Sequence, residues 1–331
     1  MANNQSVTMS FSTITIVGAG TMGANIALSF ASARCAVRLH DVNATQLENA
    51  LALIRANAAQ LHEHGLLDES VDDVVQRVEV SPTLESAVRD ADLVIEAVPE
   101  NLQLKWRIFT ELDRVCGATT ILASNTSSFV PSSLATGLVN PARRQRFLVM
   151  HYWNPAHLMP LVELVPHAET LPVVVERVRE LLLRCAKQPV VLRKEIAGFI
   201  GNRLAFALQR EAMDLVEKGV ASPEDIDVVA KTSFGRRIPI SGIFGTADLG
   251  GLDVYWEICR QLFPDLCQER AAPVVLTRLV ESGRLGVKSG AGWHHYTNDE
   301  RERLREAFNA ELIHYLKRER RDVGSSAGQT E

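Results

Sequence analysis

Cysteine is scarce in this chain and poorly arranged for cross-linking. Cys35, Cys116, Cys185, Cys259 and Cys267 are five in number and form no CxxC pair. Neither a disulfide framework nor a zinc site of ordinary ligand spacing is expected, and a reduced, cytoplasmic setting fits best. An excess of positive charge is also missing. The 35 Lys and Arg residues face 40 Asp and Glu, a net charge of −5, so no broad nucleic-acid surface is expected. No uncharged apolar run reaches the ~18 residues that a membrane span needs. The opening MANNQSVTMSFSTITIVGAG lacks a basic stretch followed by an apolar one, so no secretory leader is expected. Internal repeats and low-complexity tracts are absent. What the chain does have is apolar content: 46% of its 331 residues, enough for a large core. At ~150 residues per domain, that length points to two domains.

The hydrophobic pattern alternates between short β-branched runs and longer amphipathic ones. TITIVG over 13–18 reads as a buried strand, 21–33 as a helix, and AVRLHD over 36–41 as a second strand. A helix is expected over 46–64. Ser81 followed by Pro82 reads as the cap and first residue of another, running to Ala91. Strands over 92–98, 120–125, 146–151 and 160–165 follow, with helices over 102–116 and 170–186 and an extended piece over 189–192. This alternation implies a doubly wound, mostly parallel α/β sheet of the Rossmann-like kind. From Gly198 onward the pattern is helical only. One helix spans 199–217, and Ser222-Pro223-Glu224-Asp225 opens the next. The expected division is an α/β dinucleotide domain over 1–194 and a smaller all-α domain over 195–331 for substrate binding and dimerisation.

Gly18-Ala19-Gly20-Thr21-Met22-Gly23 is a GxGxxG placed directly after a strand and at the start of a helix. Its first glycine permits the tight turn, its second lets backbone approach a pyrophosphate, and its third lets helix pack on strand. Asp41 ends the second strand at the distance where a carboxylate meets the adenosine ribose, which favours NAD over NADP. The competing reading is a plain turn and a surface aspartate.

His151 ends a strand on the side where open α/β sheets place their ligands. Glu163 follows twelve residues later inside the apolar run PLVELV. Such a pair suits alcohol oxidation. As hydride leaves carbon, imidazole takes the hydroxyl proton, and the carboxylate orients the ring. A core histidine with an edge glutamate fits the same local pattern. Ser127 could bind a substrate oxygen or cap a turn. Asn202, polar within an apolar helix start, could polarise a carbonyl or bond between helices. The mixed charge runs over 301–307 and 317–321 read as solvated helix faces.

Together these segments resemble the 3-hydroxyacyl-CoA dehydrogenase family, from about Thr13 to Tyr296. IVGAGTMG, DLVIEAVPENLQLK, ASNTSS, HYWNPAHLMPLVELV, GFIGNRL, DLGGLD and GVKSGAGW carry the resemblance in order. It implies an NAD-binding domain plus a helical domain that dimerises. By position it implies His151 as base, Glu163 as its carboxylate partner, Ser127 on the substrate hydroxyl and Asn202 on the substrate. Further cofactor contacts are implied for Ala97, Glu100, Lys105, Asn154 and Lys288, beside the glycine loop and Asp41.

The departures concern the substrate. Family members that act on acyl-CoA carry a serine and a lysine on the helix after the second strand, against the CoA nucleotide. Asn57 and His64 stand there here, and Arg55 is that helix's only fixed cation. PLVELVPH resembles the lambda-crystallin and L-gulonate dehydrogenase branch. The extension after Tyr296 resembles relatives that act on carnitine or on hydroxymethylpyridines. The leading expectation is an NAD-dependent L-3-hydroxyacyl-CoA dehydrogenase of fatty acid metabolism, working as a homodimer without nucleic-acid or membrane partners. Two alternatives stand beside it: the same chemistry on a hydroxy compound without CoA, and a non-catalytic, crystallin-like NAD-binding protein.

Overall fold

The computed structural model describes residues 11–327, with side chains to 320. The leader reading rests partly on residues 1–10, which lie outside the described residues. Eight strands form one sheet: β1 Thr13–Val17, β2 Ala36–His40, β3 Val78–Val80, β4 Leu93–Glu96, β5 Ile121–Ser124, β6 Phe147–Tyr152, β7 Leu161–Pro166 and β8 Gln188–Val191. Their order is β3-β2-β1-β4-β5-β6-β7-β8. Through β6 every pairing is parallel, and β7 then runs antiparallel to β6. Every residue of β4, β5 and β6 is buried, as expected for strands covered on both faces.

The helices are α1 Thr21–Ser32, α2 Ala44–Glu63, α3 Val71–Gln76, α4 Leu84–Val88, α5 Leu102–Val115, α6 Pro131–Ala135, α7 Pro141–Arg144 and α8 Pro172–Arg184. Next come α9 Gly201–Glu217, α10 Pro223–Thr232, α11 Ile238–Gly250, α12 Leu252–Leu262, α13 Val274–Glu281 and α14 Asn298–Ala327. One apolar cluster unites β1 and β2 with α1, α2, α3 and α8. A second unites β4 to β6 with α4, α5 and α6. The strand order reverses between β1 and β4, so the loop after β1 opens at the point where such sheets bind ligands.

Several local expectations change. Ser81 and Pro82 do not start a helix. Thr83 is the cap of α4, its hydroxyl accepting from the Ser86 amide at 3.2 Å, and Ser81 instead contacts the Ser86 hydroxyl. The helix expected from Phe199 begins at Gly201, because Gly198 and Phe199 both hold left-handed conformations, φ 76° and 51°. α10 opens as expected, with Pro223 in its first turn and the Ser222 hydroxyl accepting from the Asp225 amide.

The chain divides into two compact units. One runs to Asn202 and regains the described residues from Asn309 on; the other is Arg203–Phe308. The second half of α14 joins the first unit because Ile313 is buried in its core and Arg320 Nη2 donates to the Leu66 carbonyl at 2.6 Å. The regular elements of the second unit are helices, apart from two isolated antiparallel bridges around Ala291, and α11 is broken by Gly242 at φ 67°. Among the described residues, no helix is long and apolar enough to cross a membrane.

Candidate active site

The glycine loop lies in a cleft of about 870 Å³, lined by Gly18, Gly20, Thr21, Met22, Asp41 and Ala97, among others. Gly18 needs its left-handed φ of 106°, and a Cβ there would come within 2.6 Å of the Ala97 carbonyl oxygen. A Cβ on Gly23 would fall 1.8 Å from the Gly18 carbonyl oxygen, so α1 can approach β1 only through glycine. The first turn of α1 has no side-chain cap, which leaves its amides for an anion. Asp41 Oδ2 accepts from the Ala19 amide at 2.8 Å and Oδ1 from the Asn43 amide at 2.9 Å, so the carboxylate is fixed at the edge of the cleft. A loop shaped for a pyrophosphate and an acid placed for a ribose fit NAD.

A second cavity, of about 410 Å³, holds Met22, Ala97, Glu100, Ser127, His151, Asn154 and Asn202 among its lining. His151 and Glu163 are direct partners in the antiparallel register of β6 and β7. Facing residues of such a pair share one side of the sheet, which explains the twelve-residue spacing. His151 Nδ1 lies 2.8 Å from Glu163 Oε2. Glu163 Oε1 accepts the backbone amides of Ile200 at 2.8 Å and Gly201 at 3.0 Å, and the Trp153 indole Nε1–H reaches Oε2 at 3.4 Å.

Burial opposes the charge on Glu163, but the hydrogen bonds from His151 and from the Gly201 and Ile200 amides outweigh it, holding the carboxyl below its usual range. An ionised carboxylate has no proton to donate, so His151 carries its own on Nδ1. Nε2 is then the acceptor, and the Ser127 hydroxyl lies 3.1 Å from it. Asn202 Nδ2 donates to the Ser127 carbonyl at 3.2 Å. All four residues picked out for chemistry are therefore contiguous.

Glu100 holds the Ser127 turn. Its Oε1 accepts the Thr126 hydroxyl, the amides of Ser127 at 3.2 Å and Ser128 at 3.1 Å, and the Ser128 hydroxyl at 2.6 Å. Burial raises its carboxyl, and the Ser128 and Thr126 hydroxyls with the Lys105 ammonium overcome this, for a net lowering. Lys105 differs from a directly contacting residue. It is only 1% exposed, with Nζ 2.7 Å from Glu96 Oε1, 3.2 Å from Glu100 Oε2 and 3.3 Å from the Val98 carbonyl. It meets the site through Glu100. Lys288 belongs to the second unit, exposed on the short turn Val287–Ser289.

Four further features had no sequence signal of their own. The imidazole of His151 has two ring neighbours, Phe199 at 5.2 Å and Trp153 at 5.9 Å, both tilted at 55°. The left-handed Phe199 precedes the amides that hold Glu163, a conformation no local propensity forecasts for a bulky residue. Glu96 is a wholly buried carboxylate, raised by desolvation and bonded to Lys105 and Ser124. Asn125 lines the cavity, with Oδ1 accepting from the Tyr152 amide at 3.0 Å.

A Rossmann-like sheet with this loop and cleft defines an NAD-dependent oxidoreductase class. The comparisons narrow it. The 3-hydroxyacyl-CoA dehydrogenase NAD binding domain matches residues 13–196, and the C-terminal domain of the same family matches 198–296. The chain belongs to the 3-hydroxyacyl-CoA dehydrogenase family. It is 34% identical over 301 residues to the 5-formyl-3-hydroxy-2-methylpyridine 4-carboxylate 5-dehydrogenase of Mesorhizobium japonicum, covering 91% of this chain and 96% of that protein. It is 38% identical over 290 residues to a probable 3-hydroxybutyryl-CoA dehydrogenase of Bacillus subtilis, covering 87% and 98%. A crystal structure of a 5-formyl-3-hydroxy-2-methylpyridine 4-carboxylic acid 5-dehydrogenase, described as an NAD+-dependent dismutase, superposes with a TM-score of 0.86. The two are 31% identical, with 93% and 98% coverage.

Proposed function

We propose that this protein oxidises an alcohol to a carbonyl compound with His151 as general base, on a compact hydroxy compound that carries no CoA. The observation behind the chemistry is the orientation of His151, with Nδ1–H on the Glu163 carboxylate and Nε2 beside the Ser127 hydroxyl. NAD, when bound, supplies the hydride acceptor. Gly18, Gly20, Thr21 and Asp41 would hold it along the cleft, with Ala97, Glu100 and Asn154 at the inner end. His151 Nε2 draws the proton from the substrate hydroxyl, and Glu163 stabilises the imidazolium that results. Ser127 Oγ shares the substrate oxygen, while Asn202 steadies the Ser127 backbone and keeps one amide hydrogen for the substrate.

The absence of CoA rests on α2. Its one fixed cation, Arg55, is engaged by Asp72 at 2.5 Å, and the Asn57 amide is engaged by Asn25 at 2.7 Å. A phosphorylated nucleotide needs free donors and cations, preferably arginine. The likeness to a pyridine carboxylate dehydrogenase points the same way. The second reading, oxidation of a 3-hydroxyacyl-CoA in fatty acid metabolism, is favoured by the likeness to the Bacillus subtilis protein. Steady-state assays following NADH absorbance decide between them. Free hydroxymethylpyridine carboxylates, gulonate, carnitine or 3-hydroxybutyrate should exceed 3-hydroxybutyryl-CoA by more than tenfold in kcat/KM; the reverse preference restores the CoA reading. His151→Ala should lower kcat by ~10²–10⁴-fold with NADH affinity nearly unchanged. Undiminished turnover would remove His151 from the mechanism.

We also propose a homodimer formed through the helical unit. Phe206, Ile240, Phe244, Leu249 and Trp256 of that unit are all more than half exposed, a surface that a second copy would cover.

A further inference from the structure

We propose that Trp153 is a positioning residue for the His151–Glu163 pair. This rests on the reading of His151 as the base and adds a residue to it. Trp153 touches each part of that assembly. Its indole Nε1–H points at Glu163 Oε2, the same oxygen that receives His151 Nδ1. Its ring centroid lies 5.9 Å from the imidazole at an interplanar angle of 55°. Its Cζ2 lies against the start of α9, so closely that a Cβ on Gly201 would stand 2.4 Å away. Gly201 is also one of the two residues whose amides hold Glu163 Oε1.

The carboxylate therefore has four donors, two on each oxygen, which is about the number its lone pairs can accept. Three are hard to vary, being the histidine itself and two backbone amides. Among the described residues, the indole is the one side-chain donor that acts on the acid without belonging to the proton path. It fixes the plane of the carboxylate and draws off part of its charge, moderating how strongly Glu163 favours imidazolium over imidazole. The other groups around the pair are mostly uncharged: Phe199, the Ile200 and Gly201 amides and the Ser127 hydroxyl. Glu100 is the titratable neighbour on the Ser127 side of the cavity. A change confined to the indole N–H can thus be read in the pH profile.

Trp153→Phe keeps a ring and removes the donor. The acidic limb of kcat/KM against pH should move up by about half a unit, since Glu163 then holds imidazolium more strongly. kcat should fall ~3–10-fold while KM for NAD stays put. Gly201→Ala pushes the indole from the other side and should reproduce the shift. Combined with Trp153→Phe, which lacks Cζ2, it should add little, a coupling that a double-mutant cycle measures. NADH titration and circular dichroism of each variant establish that it is folded. Folded Trp153→Phe with the wild-type profile and kcat, or fully additive effects of the two substitutions, overturns the proposal. An inactive His151→Ala beside an unchanged Trp153→Phe would discard the role of Trp153 alone and leave the base assignment standing.

Discussion

Glu163 does two things with one carboxylate: it orients His151 and holds the backbone where α9 starts. Both depend on its charge. Glu163→Gln would set an amide N–H against Nδ1–H, and the imidazole would turn over its tautomer to avoid facing donors. Nε2 would then carry the proton and could not accept one. A loss of ~10²–10⁴-fold in kcat is expected. The same charge makes stability depend on pH. The folded carboxyl lies below its ordinary value of 4.5, so its contribution is present above that value. It is lost as pH falls through the lower, folded value. Melting temperatures taken from pH 6 down to pH 3 should fall for the native protein and less steeply for Glu163→Gln. Parallel slopes would mean the charge of Glu163 does not support the fold.

At the level of elements, what could be read in advance was whatever depends on local pattern. The β1–loop–α1 unit follows from a β-branched run closed by glycine, and Asp41 at the end of β2 and the strands carrying His151 and Glu163 follow from short apolar runs. The glycine loop makes a direct test possible. Gly23→Ala forces α1 away from β1, because the new Cβ would lie 1.8 Å from the Gly18 carbonyl oxygen. Overpacking of this kind should lower Tm by roughly 3–8 °C and weaken NADH binding at least tenfold. Fluorescence titration and a thermal melt check both, and unchanged values would show that the loop can relax. Some short elements, unlike the apolar strands, were not legible. α3, β3, α6 and α7 have six residues or fewer and too little sequence to show a period. Nor did the pattern reveal that β7 reverses direction. Yet that reversal places Glu163 opposite His151.

For the whole molecule, the helical unit carries the clearest expectation. None of α10, α11, α12 or α13 has a buried residue, and Phe244 and Leu249 are 85% and 83% exposed. If a second copy covers this surface, sedimentation equilibrium should give about twice the 36.5 kDa chain mass. Phe244→Asp should shift the protein toward monomer by burying a charge in an apolar interface. A monomer at micromolar concentration would count against the dimer.

The sequence by itself determined the doubly wound sheet, the glycine loop after its first strand and the residue types able to exchange a proton. These follow from hydrophobic period, glycine spacing and side-chain chemistry, all of which are local. Only the tertiary structure decided that Lys105 pairs with Glu100, that Trp153 and two backbone amides share Glu163, and that α14 returns to the first unit. Each of these joins residues far apart along the chain through burial and directional hydrogen bonds. No short-range pattern encodes such partners.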